Sequence, residues 1–239
     1  CRMRGKLRLR GVRSTNPVVV GDTVHCECGE DGEWVIVDIA PRNNYIIRRA
    51  SNLSKESHII AANIDRAMLV VTLVEPVTAV EFIDRFLVTC EAYKVPVTIL
   101  LAKIDLLRNT PEAIEEFHRT YEGAGYEVID ISATEGIGVE RVKAMLVGKT
   151  TLLSGNSGVG KSTLMNCLFP TLELSTSSVS RKTERGRHTT RRAEMMAVDG
   201  MLVLDTPGFS LLELDGKMEP VILKDYYPEF FPYEGECRF

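Results

Sequence analysis

The hydrophobic positions follow two rhythms, and the change comes near Asn63. Before it, short apolar runs are broken by turn residues. Lys6-Leu-Arg-Leu-Arg10 alternates with period two, which puts leucines on one face and bases on the other. Val18–Val24, which follows Asn16-Pro17, Glu33–Ile39, which ends near Pro41, and Tyr45–Ile47 each predict a strand. Several short strands at this spacing predict a small barrel over residues 1–58, with the OB-fold as first choice.

After Asn63 the runs become longer and alternate in kind. Arg66–Leu73 is continuously apolar, as a parallel strand buried on both faces must be. Thr78–Tyr93 then carries Val80, Ile83, Phe86, Leu87 and Cys90 at helical spacing. Val95–Leu101 predicts the next strand. Pro111–Gly123 predicts a helix with Thr110 as N-cap and Pro111 in its first turn. Strands over Glu127–Ile131 and Thr150–Ser154 alternate with helices over Val139–Leu146 and Lys161–Leu168. Thr171–Arg192 lacks periodicity and predicts a mobile loop. Ala193–Val198 and Met201–Leu204 predict two strands joined by the Asp199-Gly200 turn. The tail from Leu211 to Phe239, rich in Pro, Tyr, Phe and acids, predicts one helix. This alternation predicts an α/β domain over residues 59–215, a mostly parallel sheet covered on both faces. Residues 216–239 read as the start of a further unit.

Composition narrows the class. The 239 residues are 44% hydrophobic and 26% charged, enough to bury a sizeable core. No apolar run approaches the length a bilayer requires, so no membrane partner is expected. The six cysteines are scattered, which fits a reducing cytosol. His25-Cys-Glu-Cys28 lacks a second ligand pair, so Cys26 and Cys28 read as barrel-lining thiols, and Cys90 and Cys167 read as core. The chain begins at Cys1 and stops at Phe239, and reads as a fragment. The net charge of −4 hides two basic clusters. Residues 1–13 hold Arg2, Arg4, Lys6, Arg8, Arg10 and Arg13 without an acid; residues 181–192 hold six bases against Glu184. Each is a candidate RNA face, or else a solvated charged edge.

Candidate chemistry concentrates at strand ends. Gly155-Asn156-Ser157-Gly158-Val159-Gly160-Lys161-Ser162 matches G-x-x-x-x-G-K-[ST] between a strand and a helix. Its glycines let backbone N–H groups curl around phosphates, and the helix start adds positive potential. Lys161 is expected to reach the β- and γ-phosphates, Ser162 to ligate Mg²⁺, and Thr163 to support the α-phosphate through its backbone. Ala102-Lys103-Ile104-Asp105 follows a buried strand. The Asp105 carboxylate can accept two bonds from guanine N1 and N2, a donor pair that adenine lacks. The Lys103 stem can lie along the base, and the Ser132-Ala133 backbone can meet guanine O6. Asp205-Thr-Pro-Gly208 ends another strand, where the carboxylate suits the Mg²⁺ shell and the Gly208 N–H the γ-phosphate.

These motifs are those of a GTPase, but in permuted order: base loops first, then phosphate loop, then the Asp205–Gly208 segment. With the barrel-like start, Gly186-Arg-His-Thr-Thr-Arg191, Asp205-Thr-Pro-Gly-Phe209 and Cys237, the chain resembles the ribosome small-subunit-dependent GTPase A (RsgA) family over essentially its whole length. The resemblance implies a circularly permuted P-loop GTPase that binds GTP/GDP and Mg²⁺. It implies a monomeric cytoplasmic bacterial protein that acts on the 30S subunit and its 16S rRNA during late maturation. It also implies a C-terminal zinc unit, truncated here, of which Cys237 is the first ligand to Zn²⁺. The loop before Asp205 should supply a Mg²⁺ ligand, Thr189 or Thr190, with Thr190 the one assigned to the metal. Phe209 stands where other GTPases place a water-orienting Gln, which makes His188 a candidate for that role; the alternative is a solvated loop histidine or an RNA contact. One departure is plain: the family's base motif begins with Asn, and this chain has Ala102. An Asn amide would bond guanine N7 and tie the loop to the phosphate loop. Ala102 does neither, so guanine choice falls to Asp105. A GTP-gated rRNA-binding module with incidental hydrolysis is the alternative function.

Overall fold

The computed structural model describes residues 2–3, 18–29, 32–49, 57–170, 194–198, 201–205 and 224–233. The expected Lys6–Arg10 strand and the Thr171–Arg192 loop lie outside them.

The N-terminal part contains β1 (Arg2–Met3), β2 (Val24–Cys28), β3 (Trp34–Ile39), β4 (Tyr45–Arg49) and β5 (Ser57–Ala62). Strands β1, β3 and β2 form a three-stranded sheet in that order, and β4 and β5 pair antiparallel. Residues Val18–Val24 do not form the expected strand. The Asp22 carboxylate accepts the Val19 N–H at 2.9 Å and is gripped by Arg42 Nε at 2.6 Å and Nη2 at 2.7 Å. A buried, bidentate carboxylate there fixes a turn, so Val20 makes only an isolated bridge to Ala61 and a continuous strand begins at Val24. Cys28 is exposed rather than lining an interior, and Cys26 is half-buried. Cys28 pairs with Trp34, itself exposed, at the open end of the sheet, so the face it shares with Cys26 is uncovered there.

The main body continues with β6 (Arg66–Val71), α1 (Val80–Ala92), β7 (Val97–Ala102), α2 (Pro111–Gly123), β8 (Glu127–Ile131) and α3 (Val139–Leu146). It then runs through β9 (Thr150–Ser154), α4 (Lys161–Leu168), β10 (Glu194–Val198) and β11 (Met201–Asp205). The six-stranded sheet has the order β10-β11-β9-β6-β7-β8. All neighbours are parallel except β10 and β11, the expected hairpin.

Alternation along the strands sorts the core into two layers. Leu69, Val71, Ile99 and Leu101 face Ile83, Phe86, Leu87 and Cys90 of α1 and Phe117 and Tyr121 of α2. Met68, Val70, Leu100 and Ala102 face Val142 and Leu146 of α3 and Leu164, Met165 and Leu168 of α4. Successive strand residues point to opposite faces, so an unbroken apolar run feeds both layers. Ile46 and Ala61 join the first layer, which knits β4 and β5 onto the main body. Burial pushes the Cys90 thiol far up, so it stays neutral and serves as packing.

Helix α2 starts as expected, with Pro111 at its first turn and Thr110 in the cap position. The Thr110 hydroxyl does not cap the helix, however; it donates to the Leu107 carbonyl at 3.3 Å. Of the tail expected to hold one helix, the described residues form two short 3-10 segments, Lys224–Tyr226 and Pro228–Tyr233, and the rest lies outside them. Pro228 and Pro232 break longer helical hydrogen bonding there.

Candidate functional site

The direction in which successive strands are added reverses between β9 and β6. From β9 the sheet continues to β11, and from β6 it continues to β7. Loops leaving two such strands diverge and open a crevice at the carboxyl edge of the sheet. Five strand ends meet at that edge, and four of them carry the residues singled out in the sequence.

Residues 155–160 leave β9 and enter α4. Gly155 has φ +147°, and a Cβ there would stand 2.4 Å from the Val70 carbonyl oxygen of β6. Only glycine lets the loop lie this close to its neighbouring strand. Val159 is fully buried and pins the loop into the second core layer. Helix α4 begins without an acid in its first turn, so the positive potential of its N-terminus is uncompensated. Lys161 Nζ donates to the Gly155 and Asn156 carbonyls at 2.7 Å each, which curls the ammonium over the loop. Ser157, Gly158 and Ser162 are exposed, and Asn156, Gly160 and Thr163 are half-buried.

The next loop follows β7. Ala102 is buried among Met68, Val70 and Leu100. Lys103 takes a left-handed backbone, φ 60°, and turns the chain into a short 3-10 segment, Ile104–Leu107. Buried Leu107 anchors that segment, leaving Asp105 half-buried. Lys103 Nζ donates to the Glu75 carbonyl at 2.5 Å. After β8, Ser132 is fully buried. Its N–H donates to Ile137 O at 3.0 Å, its hydroxyl lies 3.0 Å from Thr134 Oγ1, and Glu135 N–H donates to that hydroxyl at 3.3 Å. These bonds hold the Ser132-Ala133 turn in one shape.

Asp205 ends β11, in register with Leu153 of β9, so its backbone stands beside the start of the phosphate loop. His188, Thr189, Thr190, Gly208 and Cys237 lie outside the described residues.

Three features of the edge escaped the sequence. Cys167 is exposed, not core, and its thiol donates to the Ala133 carbonyl at 3.1 Å. The apolar face of α4 is satisfied by Leu164, Met165 and Leu168, which turns Cys167 toward the 132–138 loop. Arg108 forms an ion pair with Glu135, joining the two base loops. The loop after β6 closes on itself: Thr72 N–H donates to Thr78 Oγ1 at 3.0 Å, and Thr78 N–H returns to Thr72 O at 2.9 Å. The rule for strand-end crevices would have flagged that loop, since β6 borders the reversal.

Beneath the edge, His118 of α2 sets Nε2 2.8 Å from Asp130 and Nδ1 2.9 Å from Glu122. Partial burial opposes its charge, but the two carboxylates prevail and raise its pKa above the usual histidine value. Asp130 lies two residues before Ser132, so this pairing braces the strand that carries the loop.

Comparison with known proteins agrees with this geometry. The family model described as RsgA GTPase matches residues 39–215. A relative from Flavobacterium johnsoniae, the small ribosomal subunit biogenesis GTPase RsgA, is 45% identical over 248 residues, covering 100% of this chain and 75% of its own. Another from Bacteroides thetaiotaomicron, RsgA 2, is 44% identical, covering 100% of this chain and 77% of its own. Among solved structures, YjeQ from Thermotoga maritima superposes with a TM-score of 0.76 at 34% identity, over 100% of this chain and 76% of its own. YloQ, described as a circularly permuted GTPase, gives 0.67 at 29% identity, over 99% and 72%. The order in which the strand-end loops occur along this chain is therefore that of a circularly permuted GTPase, and the chain belongs to the RsgA GTPase family.

Proposed function

We propose that this chain is a GTP phosphohydrolase acting in biogenesis of the small ribosomal subunit. One observation carries the reading. The 155–162 loop, the 102–108 loop and the 132–138 loop, far apart and permuted in sequence, leave β9, β7 and β8 at one sheet edge, with only β6 between the first two. That is the arrangement a guanine nucleotide needs, with phosphates at a helix N-terminus and the base across neighbouring strand ends.

The residues present fit the nucleotide. Glycine at 155 seats the loop directly against β6, and the uncompensated start of α4 favours phosphate. In this reading Lys161 exchanges its loop carbonyls for the β- and γ-phosphates. The backbones of Gly155–Gly160 and Thr163 hold the phosphate chain. Asp105 accepts the guanine N1 and N2 donors, Lys103 lies along the base, and Ser132-Ala133 meets O6. Ile104 carries the turn that aims Asp105. Ser162 and Asp205, with Thr190 or Thr189, would hold Mg²⁺, which supplies charge neutralisation at the transferred phosphoryl group. Gly208 reads the γ-phosphate and His188 orients the attacking water.

The same reading assigns the wider setting: a monomeric cytoplasmic protein on the 30S subunit and 16S rRNA, with basic residues of 1–13 and 181–192 toward phosphates. Residues 1–58 form the barrel domain, 59–215 the GTPase domain, and 216–239 the start of a zinc unit with Cys237 as one ligand. Among the described residues, no helix is long and apolar enough to cross a membrane. Turnover measured with and without isolated small subunits tests the proposal. A rise in turnover supports it. Nucleotide-dependent binding with unchanged turnover selects the alternative, an rRNA-binding module gated by GTP.

A further inference from the structure

Ala102 poses a mechanical question. An amide at that position would fasten the base loop to the phosphate loop; a methyl group buried in the second core layer fastens nothing polar. Unless something else holds these loops, each approach of the nucleotide has to order them, and the ordering cost weakens binding.

The structure supplies other fastenings, and they close a circuit. Helix α4, the direct continuation of the phosphate loop, reaches the 132–138 loop through Cys167 Sγ and the Ala133 carbonyl, 3.1 Å apart. That loop reaches the 102–108 loop through Glu135 and Arg108. The 102–108 loop reaches the loop after β6 through Lys103 Nζ and the Glu75 carbonyl, 2.5 Å apart. That last loop returns to the phosphate loop, since Pro76 Cδ lies 3.4 Å from where a Cβ on Gly158 would stand.

We propose that Cys167 and the Arg108–Glu135 pair are positioning residues that fasten the guanine-binding loops to the phosphate-loop helix, the task an amide at residue 102 would otherwise perform. The proposal rests on the reading of those loops as the guanine pocket. Each of these side chains is engaged with another loop, Arg108 with Glu135 and Cys167 with the Ala133 carbonyl, so they act through the loops they join. Their effect falls on affinity, and turnover at saturating GTP stays close to that of the unaltered chain.

The test uses this chain, a fluorescent guanosine diphosphate, and competition by GDP and ADP. Arg108→Glu and Glu135→Arg each weaken GDP binding roughly two- to fivefold, the range for one exposed ion pair, and the two combined restore it. Cys167→Ala weakens binding to a similar degree. Ala102→Asn tightens GDP binding more in the Cys167→Ala, Arg108→Ala background than in the unaltered chain, because the amide then has a task to fill. Restoration by the charge swap is the readout that general destabilisation would not produce, and it stands even if Ala102→Asn fails to fold. Unchanged GDP affinity in Arg108→Glu and Cys167→Ala overturns the proposal, as does a swapped pair no better than its parents. Equal displacement by GDP and ADP in the unaltered chain would remove the pocket itself; preserved GDP preference with unmoved affinities removes only the fastening.

Discussion

Gly155→Ala is the perturbation whose consequence can be worked most directly from the geometry. The new Cβ would stand 2.4 Å from the Val70 carbonyl oxygen, while real Cβ contacts essentially never fall under 3.0 Å. The gap must therefore open by at least 0.6 Å. Val70 is fully buried in β6, paired to β7 on one side and β9 on the other, so the strand cannot yield. The phosphate loop has to move instead. The backbone at φ +147° adds strain of about 1–3 kcal/mol for a residue with a side chain. A shift of this size in groups that position phosphates costs roughly ten- to a hundredfold in turnover. Gly125→Ala is the control: its φ of +93° carries strain too, but nothing lies within 4 Å of the new Cβ, and it sits far from the loop in sequence and at the opposite end of β8. Thermal melts and phosphate release on the two variants separate the effects. Both should lose stability, and only Gly155→Ala should lose turnover. Wild-type turnover in Gly155→Ala would refute the argument that the loop is seated against β6.

Other substitutions probe separate parts of the account. Asp105→Asn should lose GTP and gain xanthosine triphosphate, because an amide then faces the carbonyl at base position 2; unchanged GTP affinity would move the base pocket elsewhere. Lys161→Ala should abolish turnover while the fold persists in thermal melts, the lysine being held over the loop by the Gly155 and Asn156 carbonyls at 2.7 Å; normal phosphate release would remove it from the mechanism. His118→Gln should cost stability in a pH-dependent way. The folded-state pKa is raised, so the charged ring contributes fully below about pH 6.5, its unfolded value, and loses that contribution as pH rises through the folded value. Melts from pH 5 to 9 should show the gap between variant and parent closing as pH rises; a constant gap would mean that His118 acts through shape alone.

Much of the fold was legible because periodicity and strand chemistry agreed. Helices α2, α3 and α4 and strands β8 and β9 fall where apolar spacing placed them, each bounded by a clear punctuator such as Pro111 or the glycines of 155–160. Strand β5 was missed. Ser57–Ala62 is short and sits against the Asn63 break, and its identity comes from pairing with β4, which no local pattern reveals. Three valines made Val18–Val24 read as a strand, but Asp22 spends its carboxylate on Val19 and Arg42 and makes a turn. The site divides the same way. The phosphate-loop and base-loop residues are written as motifs, because backbone chemistry there demands particular residues at particular spacings. Cys167, Arg108 and Glu135 carry no such signature. Their role depends on which loops the topology brings together, and a helix only eight residues long gave too little periodicity to tell the inward side of α4 from its edge.

The central claim is that four strand-end loops in permuted order hold a guanine nucleotide. Displacement of bound fluorescent GDP by GTP and by ATP tests it most directly. With Asp105 committed to a donor pair that adenine lacks, GTP should displace the probe at a concentration at least about a hundredfold lower than ATP. Displacement by both at the same concentration would contradict the account, whatever the chain does on the ribosome.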